Sequence, residues 1–236
     1  MTRLEFLFYF IFVFFYTTYG KTIPKYYTNG LLKYSNKDYI GALEDFTNAI
    51  KYNSFDTNAY FYRGLIKSYL NDNTGAIIDY LKVIRLKPDY AEVYSNIGYC
   101  KDLLGDYQSA IEYYDNAVKI KPQVAELYYN RGITKGNMND SIGAILEYSK
   151  CIEINPNFVE AYCNRGKIKE ESKNIYGAIE DYSKAINISP TLAVAYFYTG
   201  NSRITIGQNE DACADFKTAK AFGFEDAERA INEFCK

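Results

Sequence analysis

From residue 23 to residue 226 the small, aromatic and apolar residues of this chain return every 34 positions, without an insertion or a deletion. With each unit opened at residues 23, 57, 91, 125, 159 and 193, its eighth position is always glycine: Gly30, Gly64, Gly98, Gly132, Gly166 and Gly200. The fourth position is always tyrosine, from Tyr26 to Tyr196, and the twentieth always alanine, from Ala42 to Ala212. The twenty-fourth is aromatic throughout: Phe46, Tyr80, Tyr114, Tyr148, Tyr182 and Phe216. Positions 20, 24, 27 and 28 stand at i, i+4, i+7 and i+8, the spacing of a single buried stripe on a helix. Positions 4, 8 and 11 make a second stripe. Between the two lie Asn36, Asn71, Gly105, Asn139 and Gly207 with Asp or Ser beside them, which is turn chemistry. Each unit therefore reads as a helix hairpin.

Such a period predicts an all-α solenoid whose core grows unit by unit. The glycine at position 8 is expected to let the first helix close on the alanine at position 20, with the rings at positions 4 and 24 filling the remaining space. Proline at position 32 (Pro88, Pro122, Pro156, Pro190) ends the second helix and opens the next unit. Residues 227 to 236 place Ala227, Ala230, Ile231, Phe234 and Cys235 on one face and Glu228, Arg229, Asn232 and Glu233 on the other, the pattern of a capping helix.

Aromatic at 4, glycine at 8, alanine at 20, aromatic at 24, alanine at 27 and proline at 32 together resemble the tetratricopeptide repeat (TPR) family, over residues 23 to 226. Two departures stand out. The family's usual tyrosine at position 11 is here Lys33, Lys67, Lys101, Lys135, Lys169 and Arg203, and the end units carry Ser54 and Phe224 in place of proline. The resemblance implies an α-solenoid of six helix-turn-helix repeats (23–56, 57–90, 91–124, 125–158, 159–192, 193–226) plus the C-terminal cap, wound as a right-handed superhelix. It also implies a protein-binding scaffold whose first helices line a concave groove.

Composition narrows the chemistry. The chain has no histidine, which removes His general bases, Ser-His-Asp and Cys-His nucleophile pairs and every His-ligated metal site. No cofactor, no metal and no small-molecule substrate are expected. A net charge of −2 lacks the cationic footprint of a nucleic-acid binder, so DNA and RNA are not expected partners. Catalysis through carboxylates alone would fall on Glu160, Glu170 and Glu171, the densest acidic cluster on a first helix, where a solvated face is the commoner meaning.

The N-terminus differs from the rest. An unbroken apolar run from Phe6 to Tyr16 leads to Gly20, and eleven residues suit a signal h-region better than a membrane span of about 20. Residues 1–20 are read as a secretory signal peptide, with an uncleaved anchor as the alternative and the only route to a membrane. Either way the repeats lie outside the cytoplasm: secreted, periplasmic or on the cell envelope. The five cysteines form no metal-spaced motif. Cys213 and Cys235 sit at equal distances from a turn near Phe224, so an exported chain can join them by a disulfide.

Charges follow the period too. Arg63, Arg131 and Arg165 at position 7 accompany Asp79, Glu147 and Asp181 at position 23, and in the third unit both charges vanish together as Ile97 and Tyr113. That covariation predicts an ion pair inside each hairpin. The cations at position 11 have two readings: a ladder for a polyanion, or stems lying along the neighbouring helix with their heads at the position-23 acids. By the resemblance, a groove ligand meets Tyr27, Phe61, Tyr129 and Phe197 at position 5, Leu31, Leu65, Tyr99, Ile133 and Lys167 at position 9, and Asn96, Asn130 and Asn164 at position 6. The first four units then offer a nearly continuous apolar strip, and such strips mark binding sites. Glu92, Glu126 and Glu160 at position 2 oppose a clamp for a peptide's C-terminal carboxylate. The expected function is a non-enzymatic, exported scaffold holding a polypeptide in this groove; the alternative is a structural adaptor assembling through its ends or convex face.

Overall fold

A computed structural model describes residues 25–235; the expected signal segment, residues 1–20, lies outside them. The chain divides into two compact units, residues 1–120 and 121–236. Unit 1 holds α1 (25–35), α2 (Tyr39–Tyr52), α3 (Thr57–Tyr69), α4 (Asn73–Leu86), α5 (Ala91–Leu103) and α6 (Tyr107–Ile120). Unit 2 holds α7 (Ala125–Asn137), α8 (Ser141–Ile154), α9 (Val159–Glu171), α10 (Ile175–Ile188), α11 (Ala193–Thr205), α12 (Asn209–Ala221) and α13 (Asp226–Phe234). Among the described residues there is no strand. Within each unit every helix packs on the one that follows it, as the hairpin pattern predicts.

Helix boundaries trace to single residues. The residue at position 15 of every repeat is left-handed: Lys37, Asn71, Gly105, Asn139, Lys173 and Gly207 have φ between 60° and 79°. The backbone reverses there, and the next side chain caps the second helix: Asp38, Asp72, Asp140 and Asn174 accept from the backbone N–H of Gly41, Gly75, Gly143 and Gly177 at 2.9–3.1 Å. The sequence pointed to Asn36 in the first repeat, but Lys37 takes the positive φ, and Lys173 does so in the fifth. At the other end of the hairpin, the position-4 hydroxyls of Tyr128 and Tyr196 donate to the carbonyls of Pro122 and Pro190, each at 3.1 Å. Those tyrosines thereby tie a first helix to the turn before it.

The core is the position-24 ring. Phe46, Tyr80, Tyr114, Tyr148, Tyr182 and Phe216 are all essentially buried, as are the alanines at position 20. One expectation is corrected here. A Cβ on the position-8 glycine would first meet the position-24 ring, not the position-20 alanine: Tyr80 Cε1 lies 2.7 Å from the Cβ site of Gly64, and Phe216 Cε1 lies 2.5 Å from that of Gly200. One edge of the ring occupies the space a side chain would take, so the missing Cβ lets the hairpin close at van der Waals density.

The position-7 and position-23 charges pair. Arg165 holds Asp181 bidentately through Nε and Nη2 at 2.9 and 2.6 Å, and Arg63 holds Asp79 in the same way at 2.9 and 2.6 Å. Arg131 Nη2 reaches Glu147 at 2.7 Å. Each guanidinium also lies over the position-4 tyrosine of its own helix, 5.4–5.7 Å from the ring centroid. The position-11 cations converge on the same acids. Lys33, Lys67, Lys135, Lys169 and Arg203 reach Asp45, Asp79, Glu147, Asp181 and Asp215 at 2.6–2.8 Å. In the third repeat, where Tyr113 replaces the acid, Lys101 turns to Asp106 at 2.7 Å. Of the two readings of position 11, the geometry is that of the stem along the helix, with its charge already neutralised.

In unit 2 the capping helix α13 buries Ala227 and Ala230, and Ala230 joins the cluster of Ala212 and Phe216 with Phe197 and Ile204 packed around it. Cys213 on α12 and Cys235 after α13 are joined by a disulfide, with Cα atoms 5.6 Å apart. Cys100, Cys151 and Cys163 are free. Burial pushes the thiols of Cys151 and Cys163 up to about 12 and about 11, so both stay protonated and unreactive at neutral pH.

Candidate functional site

The first helices α1, α3, α5, α7, α9 and α11 carry the residues expected to meet a ligand. The position-5 rings pack against their neighbours to different extents. Phe61 is 7% exposed and stacks on Tyr90 at 5.4 Å. Tyr27 meets Phe46 and Tyr62 edge-on at 5.8 and 6.3 Å. Tyr129 sits against Phe158 at 4.8 Å and Tyr148 at 5.9 Å, while Phe197 sits between Phe224 at 4.6 Å and Phe216 at 5.8 Å. Phe61 is buried in this way, while Tyr27, Tyr129 and Phe197 are half-buried, each with part of its ring against a neighbouring turn or second helix. Leu31 is likewise drawn into the first core cluster.

The residues at positions 6 and 9 do come together, twice. In unit 1, Leu65, Asn96 and Tyr99 line a hollow of about 360 Å³ between α3 and α5. Tyr80 lines it from α4, Tyr34, Tyr39 and Tyr69 form one wall, and Leu103 lies at the rim. The wall is a connected set of rings, with Tyr39 4.2 Å from Tyr69 and 5.9 Å from Tyr34. In unit 2, Ile133, Asn164 and Lys167 line the equivalent hollow, also about 360 Å³, between α7 and α9. Tyr148 takes the place of Tyr80, and Asn137, Ile168 and Glu171 complete the lining. Asn130 is half-buried and lines neither hollow.

The two sites differ in chemistry. Tyr69, Tyr99 and Leu103 in unit 1 correspond to Asn137, Lys167 and Glu171 in unit 2, one pair of repeats later. The first hollow is aromatic and uncharged; the second is polar and carries both signs. Burial raises the phenols of Tyr80 and Tyr148 well above the usual tyrosine value, so both remain neutral hydroxyls. The amides differ as well. Asn164 Nδ2 donates to the Tyr129 hydroxyl at 3.1 Å, whereas the residue equivalent to Tyr129 in unit 1 is Phe61, and Asn96 Nδ2 is buried without a hydrogen-bond partner among the described residues.

Sequence reasoning missed Tyr34, Tyr39 and Tyr69. Tyr34 and Tyr69 stand at positions 12 and 13, one helical turn beyond position 9, a spacing that could have found them; Tyr39 opens α2 and carried no signal. The acidic cluster resolves differently from a catalytic arrangement. Glu170 accepts hydrogen bonds from Tyr182 Oη at 3.2 Å and from Ser202 Oγ at 2.8 Å, bracing α9 against α10 and α11.

Tetratricopeptide-repeat sequence profiles match residues 57–90, 91–124, 125–158 and 159–192. The chain belongs to the tetratricopeptide-repeat family. No curated protein sequence matches it. Among solved structures it resembles the MamA protein at 28% identity and a TM-score of 0.65, over 73% of this chain and 94% of that one. It also resembles YrrB, described as a TPR protein with an unusual peptide-binding site, at 21% identity and a TM-score of 0.64, over 79% of this chain and 97% of the other. A third likeness is to PilW, described as a type IV pilus biogenesis factor, at 19% identity and a TM-score of 0.75, over 89% and 97% of the two chains. The last two likenesses speak to fold alone. The TPR fold is in general a non-catalytic scaffold for protein interaction, and this chain has that fold.

Proposed function

We propose that this protein is an exported, non-enzymatic scaffold that holds a polypeptide segment on the face built by its first helices. The observation that carries the reading is the recurrence of one hollow, lined by positions 6 and 9 of successive first helices, in both units. Hollows of this size suit single side chains of an extended segment, and the half-buried amides beside them suit its backbone. The described peptide-binding site of the fold neighbour YrrB supports the same use of the scaffold. Export is supported by the apolar run Phe6–Tyr16 and by the Cys213–Cys235 disulfide, since structural disulfides persist in oxidising compartments.

A displayed random-peptide library selected on the full chain tests the binding claim. Peptides so obtained are expected to lose at least about tenfold in affinity for the double variant Tyr99→Ala/Lys167→Ala, which alters one exposed residue in each hollow and leaves the core intact. Equal binding to the variant overturns the reading. A second reading, the adaptor, is favoured by Ile142 and Leu146, which share one face of α8 and are 77% and 64% exposed. Partner binding lost on Ile142→Ser/Leu146→Ser but kept in the first-helix variant selects it.

A further inference from the structure

The unit 1 hollow carries enough chemistry to specify its occupant. Five tyrosines (Tyr34, Tyr39, Tyr69, Tyr80 and Tyr99) and two leucines line it together with Ser68, Asn71 and Asn96, and no charged residue does. Tyr99 is 51% exposed and Tyr69 65%, so two ring faces stand open to a ligand. The one unpaired buried group is a donor, Asn96 Nδ2. An unsatisfied buried N–H is costly, and a ligand recovers that cost by bringing a carbonyl.

These features discriminate between ligand classes. A lysine or arginine side chain over the rings would lose its hydration without a carboxylate to replace it, and its own donors would face Asn96 Nδ2 rather than pair with it. An acidic side chain meets no cation, and Lys67 and Lys101 are already held by Asp79 and Asp106. Ordinary peptide in this place would have to bring its backbone N–H groups to the few acceptors beside the rings, Ser68, Asn71 and the Asn96 oxygen, and would lose more chain entropy on docking. Proline has no N–H, presents a flat apolar ring and carries a tertiary-amide carbonyl that accepts well; in the polyproline II helix these features alternate along a stiff rod that loses little entropy on docking.

We propose that the unit 1 hollow binds a proline-rich, polyproline II segment of a partner polypeptide, pyrrolidine rings on Tyr69 and Tyr99 and a backbone carbonyl accepting from Asn96 Nδ2. The proposal rests on the peptide-binding reading above and adds the chemistry of the segment. Unit 2 supplies the internal contrast. Its hollow stands at the same repeat positions, but Tyr129 already satisfies Asn164, and Asn137, Lys167 and Glu171 replace the open rings and the rim leucine.

The test is titration of the full chain with a ten-residue oligoproline peptide of blocked, uncharged ends, beside a glycine-serine peptide and an oligolysine peptide of equal length. Saturable binding of oligoproline is expected, at least about tenfold tighter than either control. Tyr99→Ala is expected to weaken it about tenfold or more, and Lys184→Ala, at an exposed residue of α10 that lines neither hollow, to leave it within about twofold. Phe61→Tyr is the sharper variant: it gives Asn96 the hydroxyl that Tyr129 gives Asn164, and is expected to weaken oligoproline about fivefold while the helical circular dichroism stays unchanged. No saturable oligoproline binding, binding indifferent to Tyr99→Ala, or preference for oligolysine overturns the proposal. Library peptides that depend on the first-helix face yet are not displaced by oligoproline overturn it alone. Library peptides indifferent to that face overturn the broader reading with it.

Discussion

A Cβ placed on Gly132 would stand 2.8 Å from Cε1 of Tyr148, while one placed on Gly136, a single helical turn along α7, would meet only Ile168 Cδ1 at 3.9 Å. The two glycines of one helix therefore predict opposite outcomes. Gly132→Ala gains about 1 kcal/mol of helix propensity but must displace a buried ring, at roughly 1–3 kcal/mol. With Glu147 Cβ also within 3.2 Å, there is little room to yield, and a net loss of about 1–2 kcal/mol is expected. Gly136→Ala meets no such obstacle and is expected to stabilise by about 0.5–1 kcal/mol. Chemical denaturation of both variants checks the pair, and equal signs contradict it.

The buried acid of the fifth repeat bears on two cations at once. Asp181, about 1% exposed, takes Arg165 and Lys169 together. Asp181→Ala leaves both cations facing a site without a counter-charge, and a loss of about 3–5 kcal/mol is expected. The third repeat shows the alternative. The triple variant Arg165→Ile/Asp181→Tyr/Asn174→Asp transplants its Ile97, Tyr113 and Asp106 and gives Lys169 a new partner. That variant is expected to stay within about 2 kcal/mol of the natural protein by urea unfolding.

Lys173 is held at φ 66° between α9 and α10. A left-handed residue with a Cβ costs roughly 1–2 kcal/mol, and glycine, found at the equivalent positions 105 and 207, does not incur it. Lys173→Gly is therefore expected to raise the unfolding midpoint, corresponding to about 1 kcal/mol, despite the greater freedom of glycine in the unfolded chain. A lowered midpoint argues against it.

Burial pushes the Asp215 carboxyl up to about 6, against the pull of the Arg203 guanidinium 2.7 Å away and with Asp211 adding to the rise. The folded protein then holds this proton more firmly than the unfolded chain, whose value is about 3.9. The contribution to stability is complete below about 4 and is lost as pH rises through about 6. Asp215→Asn removes the titration. Over that window the natural protein is expected to lose thermal stability relative to the variant, and parallel melting curves would count against the shift.

Most of the scaffold was legible because it is dictated locally. Helix stripes, the Asp or Asn beside most of the turns and the proline after four of the second helices act within a few residues of themselves, so Asp140 marks a turn and Pro122 a helix end without their surroundings. Lys37 and Lys173 gave no signal, because their left-handed backbone is imposed by the hairpin closing on either side and not by any preference of lysine. The site was legible only in part. Of the residues at positions 6 and 9, Leu65, Asn96, Tyr99, Ile133, Asn164 and Lys167 line the hollows while Asn130 and Leu31 do not, and at position 5 Phe61 is buried whereas Tyr27, Tyr129 and Phe197 are half-buried against their neighbours. Whether a ring faces solvent or a neighbouring turn depends on the size of the residue opposite, such as Phe158 or Phe224. The unpaired state of Asn96 required still more, since it turns on one hydroxyl missing from Phe61 a repeat earlier.

The staple between Cys213 and Cys235 bears on what can pack against α12. A hairpin of another molecule could stack on α12 only by taking the place of Ala227 and Ala230, and α13 is covalently fastened there. Within unit 2 that face of α12 is therefore kept covered, and breaking this one bond is the step that would free it for a partner.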